Sequence, residues 1–217
     1  TSAANIYQYI KRVNSSIHIR YFIHKGKSHG LNEFVEEICL DDSQLVIVPD
    51  AGTGDIEECK RIIENGKDII ILDHHSISDE GNPAIVVNNQ LSEKVTDKAM
   101  TGVGITYKFT KLLDKYYGVN YADDYLDLVA FSLVADMMDL RNPETHYLVK
   151  TWLKNIKNGG LKAFVNAMGY SLGGRTELVP VDVAFYIAPY INAVIRVGTQ
   201  DIKKCVFEAL IDGDRIV

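Results

Sequence analysis

Apolar runs and amphipathic stretches alternate through the first half of the chain. QLVIVPD (44–50), DIIILDHH (68–75) and PAIVVNN (83–89) are short and nearly all apolar, as strands buried on both faces are. HIRYFIHKG (18–26) alternates in part and predicts a further strand. Residues 1–12, LNEFVEEICL (31–40) and IEECKRIIENG (56–66) repeat apolar positions at helical spacing, and Gly66 stops the last of them. This order predicts an α/β fold: a Rossmann-like parallel sheet covered on both faces, joined by right-handed crossovers. From Thr101 the pattern turns helical. Residues 102–118 end at Gly118, 122–140 read as one long apolar-striped helix broken near Ser132, and Asn142-Pro143-Glu144 opens a helix through Leu153. NGG, GYSLGG and RTELVPVD predict a flexible surface excursion or a linker entrance. A last apolar helix, 181–198, is interrupted at Pro189, and KKCVFEALIDGDRIV predicts an apolar strand and a DGD turn. No internal repeat or low-complexity tract is present.

Composition narrows the function classes. At 217 residues the chain holds one large domain, or one domain and part of another. Its net charge of −6 argues against a surface that coats nucleic acid generically, while leaving room for a local basic channel. Cys39, Cys59 and Cys205 are widely spaced and form no CxxC, which predicts a reduced, cytoplasmic protein without a cysteine-built zinc site. No run approaches a membrane span, and TSAANIYQYI lacks the basic region of a signal peptide. Thr1-Ser2-Ala3-Ala4 reads as the first turn of a helix already preceded by a loop, so a fragment of a longer chain is expected.

Acids and imidazoles gather where such a fold places chemistry, at the carboxyl ends of strands. Asp50 follows VIVP, Asp73-His74-His75 follows DIIIL, and Asp136 sits in the apolar FSLVADMMDL. An isolated Asp50 would serve as a cap, but a carboxylate in an apolar stretch is costly unless paired or bound to metal. If the sheet brings the three together, they make a site for Mn²⁺ or Mg²⁺. Asp50, His74 and Asp136 are then the ligands. Asp73 ligates, or orients His74 from behind. Adjacent side chains of an extended segment alternate, so His75 is expected to point elsewhere, to substrate phosphate or as a proton donor. The chemistry is phosphodiester hydrolysis by a two-ion centre, for which these residues supply only part of the ligand set.

These residues resemble the DHH phosphoesterase superfamily, and within it the RecJ type of single-strand-specific 5′→3′ DNA exonuclease, a phage-encoded member being one reading. VIVPDAGTGD, the DHH after a strand, and SLVADMMDL stand in the family's order over nearly the whole chain. The resemblance implies a DHH core over 1–140, a helical extension over 141–198 and the start of a following segment at 199–217. It implies that Asp50 bridges two ions, that His74 and Asp136 ligate, and that His75 faces the substrate phosphate. Pro189-Tyr190-Ile191-Asn192-Ala193-Val194-Ile195-Arg196 is similar to a family segment that makes Asn192 and Arg196 candidates for nucleic-acid contact; a solvated helix charge is the bland alternative for Arg196. His29, with Lys25 and Lys27, sits where the family has a glycine-containing loop. The implied partner is single-stranded DNA, with a single-strand-binding protein or helicase as collaborators and a monomer as the working unit. The family's first Asp-rich motif would precede Thr1, so this polypeptide by itself is expected to be impaired. The rival readings are a phosphodiesterase for cyclic dinucleotides or very short oligonucleotides, a pyrophosphatase, or a nucleic-acid-binding protein with a degenerate site.

Overall fold

A computed structural model describes residues 1–26, 28–76, 81–95, 98–175 and 177–212. Three parallel strands lie in the order β1 (Leu45–Pro49), β2 (Asp68–Asp73), β3 (Ile85–Asn88). Pro49 pairs with Leu72 and Asp73 with Asn88, so the ends of all three strands are level. The helices α1 (Ser2–Val13), α2 (Val35–Leu40) and α3 (Ile56–Glu64) accompany the sheet. α4 (Gly102–Tyr117), a 3₁₀ turn (Ala122–Tyr125), α5 (Leu126–Ala135), α6 (Pro143–Trp152), α7 (Gly159–Ala167), the single turn α8 (Pro180–Asp182), a π-turn (Val183–Ile187), α9 (Ala188–Val197) and α10 (Gln200–Ile211) follow.

The alternation of side chains along β2 builds the layers. Ile69 and Ile71 pack with Val48, Val35, Ile38, Cys59 and Ile62 on the side of α2 and α3. Ile70 and Leu72 face the larger core, which runs through Val103, Leu128, Leu133, Leu148 and Leu161 to Leu210. Both faces are thus covered, which is why β2 reads as an unbroken apolar run.

Several expectations fail, each for a physical reason. Residues 18–26 form no strand. Their backbone is held instead by side chains: Gln200 Nε2 donates to the Ile23 carbonyl at 2.6 Å, and the buried Lys203 ammonium donates to the carbonyls of His24, Lys25 and Gly26 at 3.0–3.1 Å. The predicted strand in KKCVFEALI is the helix α10, capped by Thr199. Asn158-Gly159-Gly160 starts a helix: Asn158 accepts from Leu161 N–H, and a side chain at Gly160 would meet the Ala209 carbonyl at 2.7 Å, so glycine permits the crossing of α7 and α10. GYSLGG is anchored, since Leu172 and Leu178 are buried in the larger core. The DGD turn falls largely outside the described residues.

The long helix predicted over 122–140 ends at Asp136. Met137 adopts a left-handed backbone (φ +56°), and Met138 N–H reaches back to the Leu133 carbonyl, a Schellman-type stop. Pro189, which cannot donate to the preceding turn, stands one residue beyond the π-turn, in the first turn of α9.

Candidate metal centre

The site lies at the carboxyl ends of β1 and β2. Asp50 N–H donates to the Leu72 carbonyl at 2.7 Å, extending the ladder one step before the chain turns away. The residue is held at φ +71°, a conformation Asp tolerates better than most side chains. Donor atoms of Asp50, His74 and His75 lie within 4.8 Å of one another. His74 Nε2 stands 3.3 Å from Asp50 Oδ1. That oxygen is buried and receives no hydrogen bond among the described residues. A side chain at Gly102, the first residue of α4, would come within 2.0 Å of the same oxygen, so the start of α4 closes the back of the site.

Asp136 caps the end of α5, outside the group of donor atoms within 4.8 Å; it feels the Asp50 charge, and His74 feels its own. Ser132 Oγ lies 3.1 Å from both Asp136 Oδ2 and Thr101 Oγ1, and Thr101 Oγ1 accepts from Gly104 N–H at the cap of α4. A carboxylate only accepts, so Ser132 donates to Asp136 and takes the Thr101 proton in turn. Burial, and then the Asp50 charge, push the Asp136 carboxyl above its ordinary value against the Ser132 bond. Burial alone would lower His74, but the Asp50 carboxylate, with Asp136 and Asp73 behind it, raises it.

Asp73 is spent on its own surroundings. Oδ2 accepts from Thr53 Oγ1 (2.6 Å) and Thr53 N–H (3.3 Å); Oδ1 accepts from the backbone N–H of His74 and His75 and from His75 Nδ1 (2.7 Å). It therefore orients His75 rather than the ring of His74. Burial works to raise this carboxyl, and the Thr53 and His75 donors outweigh it and hold it low. The expected alternation of the two histidines does not hold, because β2 ends at Asp73 and their rings stand 4.5 Å apart. His74 is mostly buried, and His75 is 57% exposed.

The other candidates lie apart from this cluster. Asn192 and Arg196 occupy exposed positions on α9 and make no hydrogen bond or ion pair with a described residue. His29 is exposed on a loop tethered by Asp55, whose Oδ2 accepts from Leu31 N–H at 2.7 Å and leaves no room for a side chain at Gly30. Lys27 lies outside the described residues. Thr53, Asn88, Thr101 and Gly102 were not singled out from the sequence; the polar ends of AGTGD and VVNN were the available signal.

A buried, unpartnered carboxylate oxygen facing an imidazole is the donor chemistry a hard-to-borderline cation such as Mn²⁺ takes. The residues present fit such an ion, as part of a coordination shell.

Residues 1–133 match the DHH family, N-terminal domain. The chain belongs to the DHH family. It is 39% identical over 211 residues to YorK of Bacillus subtilis (strain 168), an SPbeta prophage-derived protein provisionally described as a single-strand DNA-specific exonuclease. It is 32% identical over 165 residues to the single-stranded-DNA-specific exonuclease RecJ of Thermus thermophilus. These alignments cover 97% and 75% of the chain but only 36% and 24% of the relatives. A crystal structure of exonuclease RecJ bound to manganese superposes with a TM-score of 0.81 at 28% identity, over 97% of this chain and 54% of that one. A second, of RecJ from Thermus thermophilus in complex with Mn²⁺, gives 0.77 at 27% identity, over 97% of this chain and 30% of that one. This DHH chain is therefore a homologue of RecJ-type exonucleases, with a parallel-sheet core and a partial set of metal-ligand residues. Among the described residues, no helix is long and apolar enough to cross a membrane.

Proposed function

We propose that this chain forms the cation-binding core of a Mn²⁺- or Mg²⁺-dependent exonuclease that degrades single-stranded DNA from its 5′ end. The observation that carries the reading is the buried, unpartnered Oδ1 of Asp50 facing His74 at the end of a DHH-family sheet. Asp50, His74 and Asp136 hold the cation, and Asp50 bridges two ions where the shell is complete. A bound cation supplies charge neutralisation and Lewis acidity toward a phosphodiester. His75, with Nδ1–H given to Asp73, turns its other nitrogen to the substrate side, where it bonds a phosphate oxygen only when that nitrogen also carries a proton. Asn192, Arg196 and His29 contact the strand. Asp50, His74 and Asp136 are part of a two-ion ligand set, so on this reading the chain by itself is expected to be impaired.

The test is degradation of 5′-labelled single strands by the chain alone and by the chain extended at its N-terminus from its genomic context. Mn²⁺-dependent loss of 5′ nucleotides, strong for the extended protein and weak for the chain alone, is the expected result. Hydrolysis of cyclic dinucleotides with none of single strands overturns the substrate assignment.

A further inference from the structure

Behind the candidate centre, one hydrogen-bonded unit joins the ends of all three strands. Thr53, in the loop after β1, is 1% exposed; Asp73 closes β2 at 2%; Asn88 closes β3 at 6%. Their proton directions follow from the partners. Asn88 Oδ1 accepts from Gln90 N–H at 2.8 Å, so the Asn88 amide nitrogen must face inward, donating to Thr53 Oγ1 (3.1 Å) and to the His75 carbonyl (3.0 Å). Thr53 Oγ1 therefore accepts from Asn88 and gives its own proton to Asp73 Oδ2 (2.6 Å). That fixes one carboxylate oxygen and leaves Oδ1 to take His75 Nδ1–H, while Asn88 holds the backbone of the same histidine. Asn88 and Thr53 make no hydrogen bond to the Asp50 carboxylate or the His74 ring, and of the two imidazoles only that of His75 is hydrogen-bonded to Asp73.

We infer that Thr53 and Asn88 are positioning residues, which lock Asp73 so that the His75 imidazole is held as the Nδ1-protonated tautomer with Nε2 free. A free imidazole in water favours the other tautomer, so the lock changes which nitrogen is offered outward. Through it, the ends of three strands set the chemistry of one exposed ring. The inference rests on the proposed function only for what that nitrogen is used for. The tautomer itself is read without cation or substrate, so failure of the exonuclease reading and failure of the lock give different results.

The experiment is long-range ¹H–¹⁵N correlation of the histidine rings in the cation-free chain, at a pH where imidazole is neutral. His75→Gln assigns the signal. The expected spectrum shows His75 with Nδ1 protonated. Thr53→Val, which keeps the shape and removes the hydroxyl, shifts His75 toward the free-imidazole mixture and leaves His74 unchanged; Thr53→Ser restores the parent spectrum. In the N-terminally extended, active protein, Thr53→Val lowers kcat about tenfold or more with Mn²⁺ affinity within about twofold of the parent. An Nε2-protonated His75 in the unsubstituted chain overturns the inference whether or not any variant folds. So does a Thr53→Val spectrum identical to the parent's.

Discussion

At the scale of the residue, the site is a competition between burial and charge. His74 and Asp136 are both held toward their protonated forms, by the Asp50 carboxylate and by burial respectively. The sign follows directly. A group whose folded pKa is raised contributes stability that is complete below its unfolded pKa and lost as pH rises through the folded one, so each favours the cation-free protein at lower pH. The proposed cation site needs both groups without their protons. Mn²⁺ affinity should therefore climb as pH rises toward the His74 titration, which the Asp50 carboxylate holds above the ordinary imidazole value, and level off beyond it. Calorimetric titrations across that range check this, and a flat profile would contradict it. Within the same cluster, His74→Ala should weaken Mn²⁺ binding more than His75→Ala, because His74 Nε2 stands 3.3 Å from Asp50 Oδ1 on a mostly buried ring, while the His75 ring is exposed. Electron paramagnetic resonance of free Mn²⁺ measures both variants, and the reverse order sinks the assignment. The acids and imidazoles at these positions were legible because strand ends concentrate chemistry. Thr53 and Asn88 were not, since a buried hydroxyl and amide leave no periodic trace and gain meaning only when three strand ends are level.

Elements decide which residues can meet. The register that pairs Pro49 with Leu72 brings Asp50 and Asp73 to the same height, and the glycine at the start of α4 lets that helix approach Asp50 closely. Gly102→Ala should displace the Asp50 carboxylate and reduce Mn²⁺ affinity roughly 10- to 100-fold, although alanine is the better helix former by about 1 kcal/mol. The pairing of lower affinity with retained circular dichroism is the outcome to look for; unchanged affinity would show that Asp50 escapes the clash. Helices and buried strands were legible because their apolar periods are long. Residues 18–26 misled for the opposite reason. Their alternation reflects packing such as Phe22 on Phe34 and Tyr21 on Phe207, while their backbone bonds go to α10, nearly two hundred residues along the chain. Asp136 was read inside a helix because nothing in ADMM announces a left-handed methionine.

For the molecule as a whole, the first and last described helices are fastened together. Lys203 on α10 holds three carbonyls of the loop that leads to His29, and α1 meets α10 through Gln8 and the Leu210 carbonyl. Lys203→Met keeps the apolar stem and removes the ammonium. It should cost about 1–3 kcal/mol by leaving those carbonyls without their donor, with faster amide exchange around residues 24–31 and unaltered Mn²⁺ affinity. Urea melts and exchange measurements check both parts. The backbone at the site also bears on how such a protein changes over generations. Asp50 sits in a conformation that asparagine and glycine also accept, and each of those is a single-nucleotide change from aspartate. The proposed cation ligand can thus be lost by one mutation that leaves the scaffold undisturbed. Descendants that keep the shape and drop the chemistry are within easy reach, and Asp50→Asn rather than Asp50→Ala is the substitution that would isolate that loss in the laboratory.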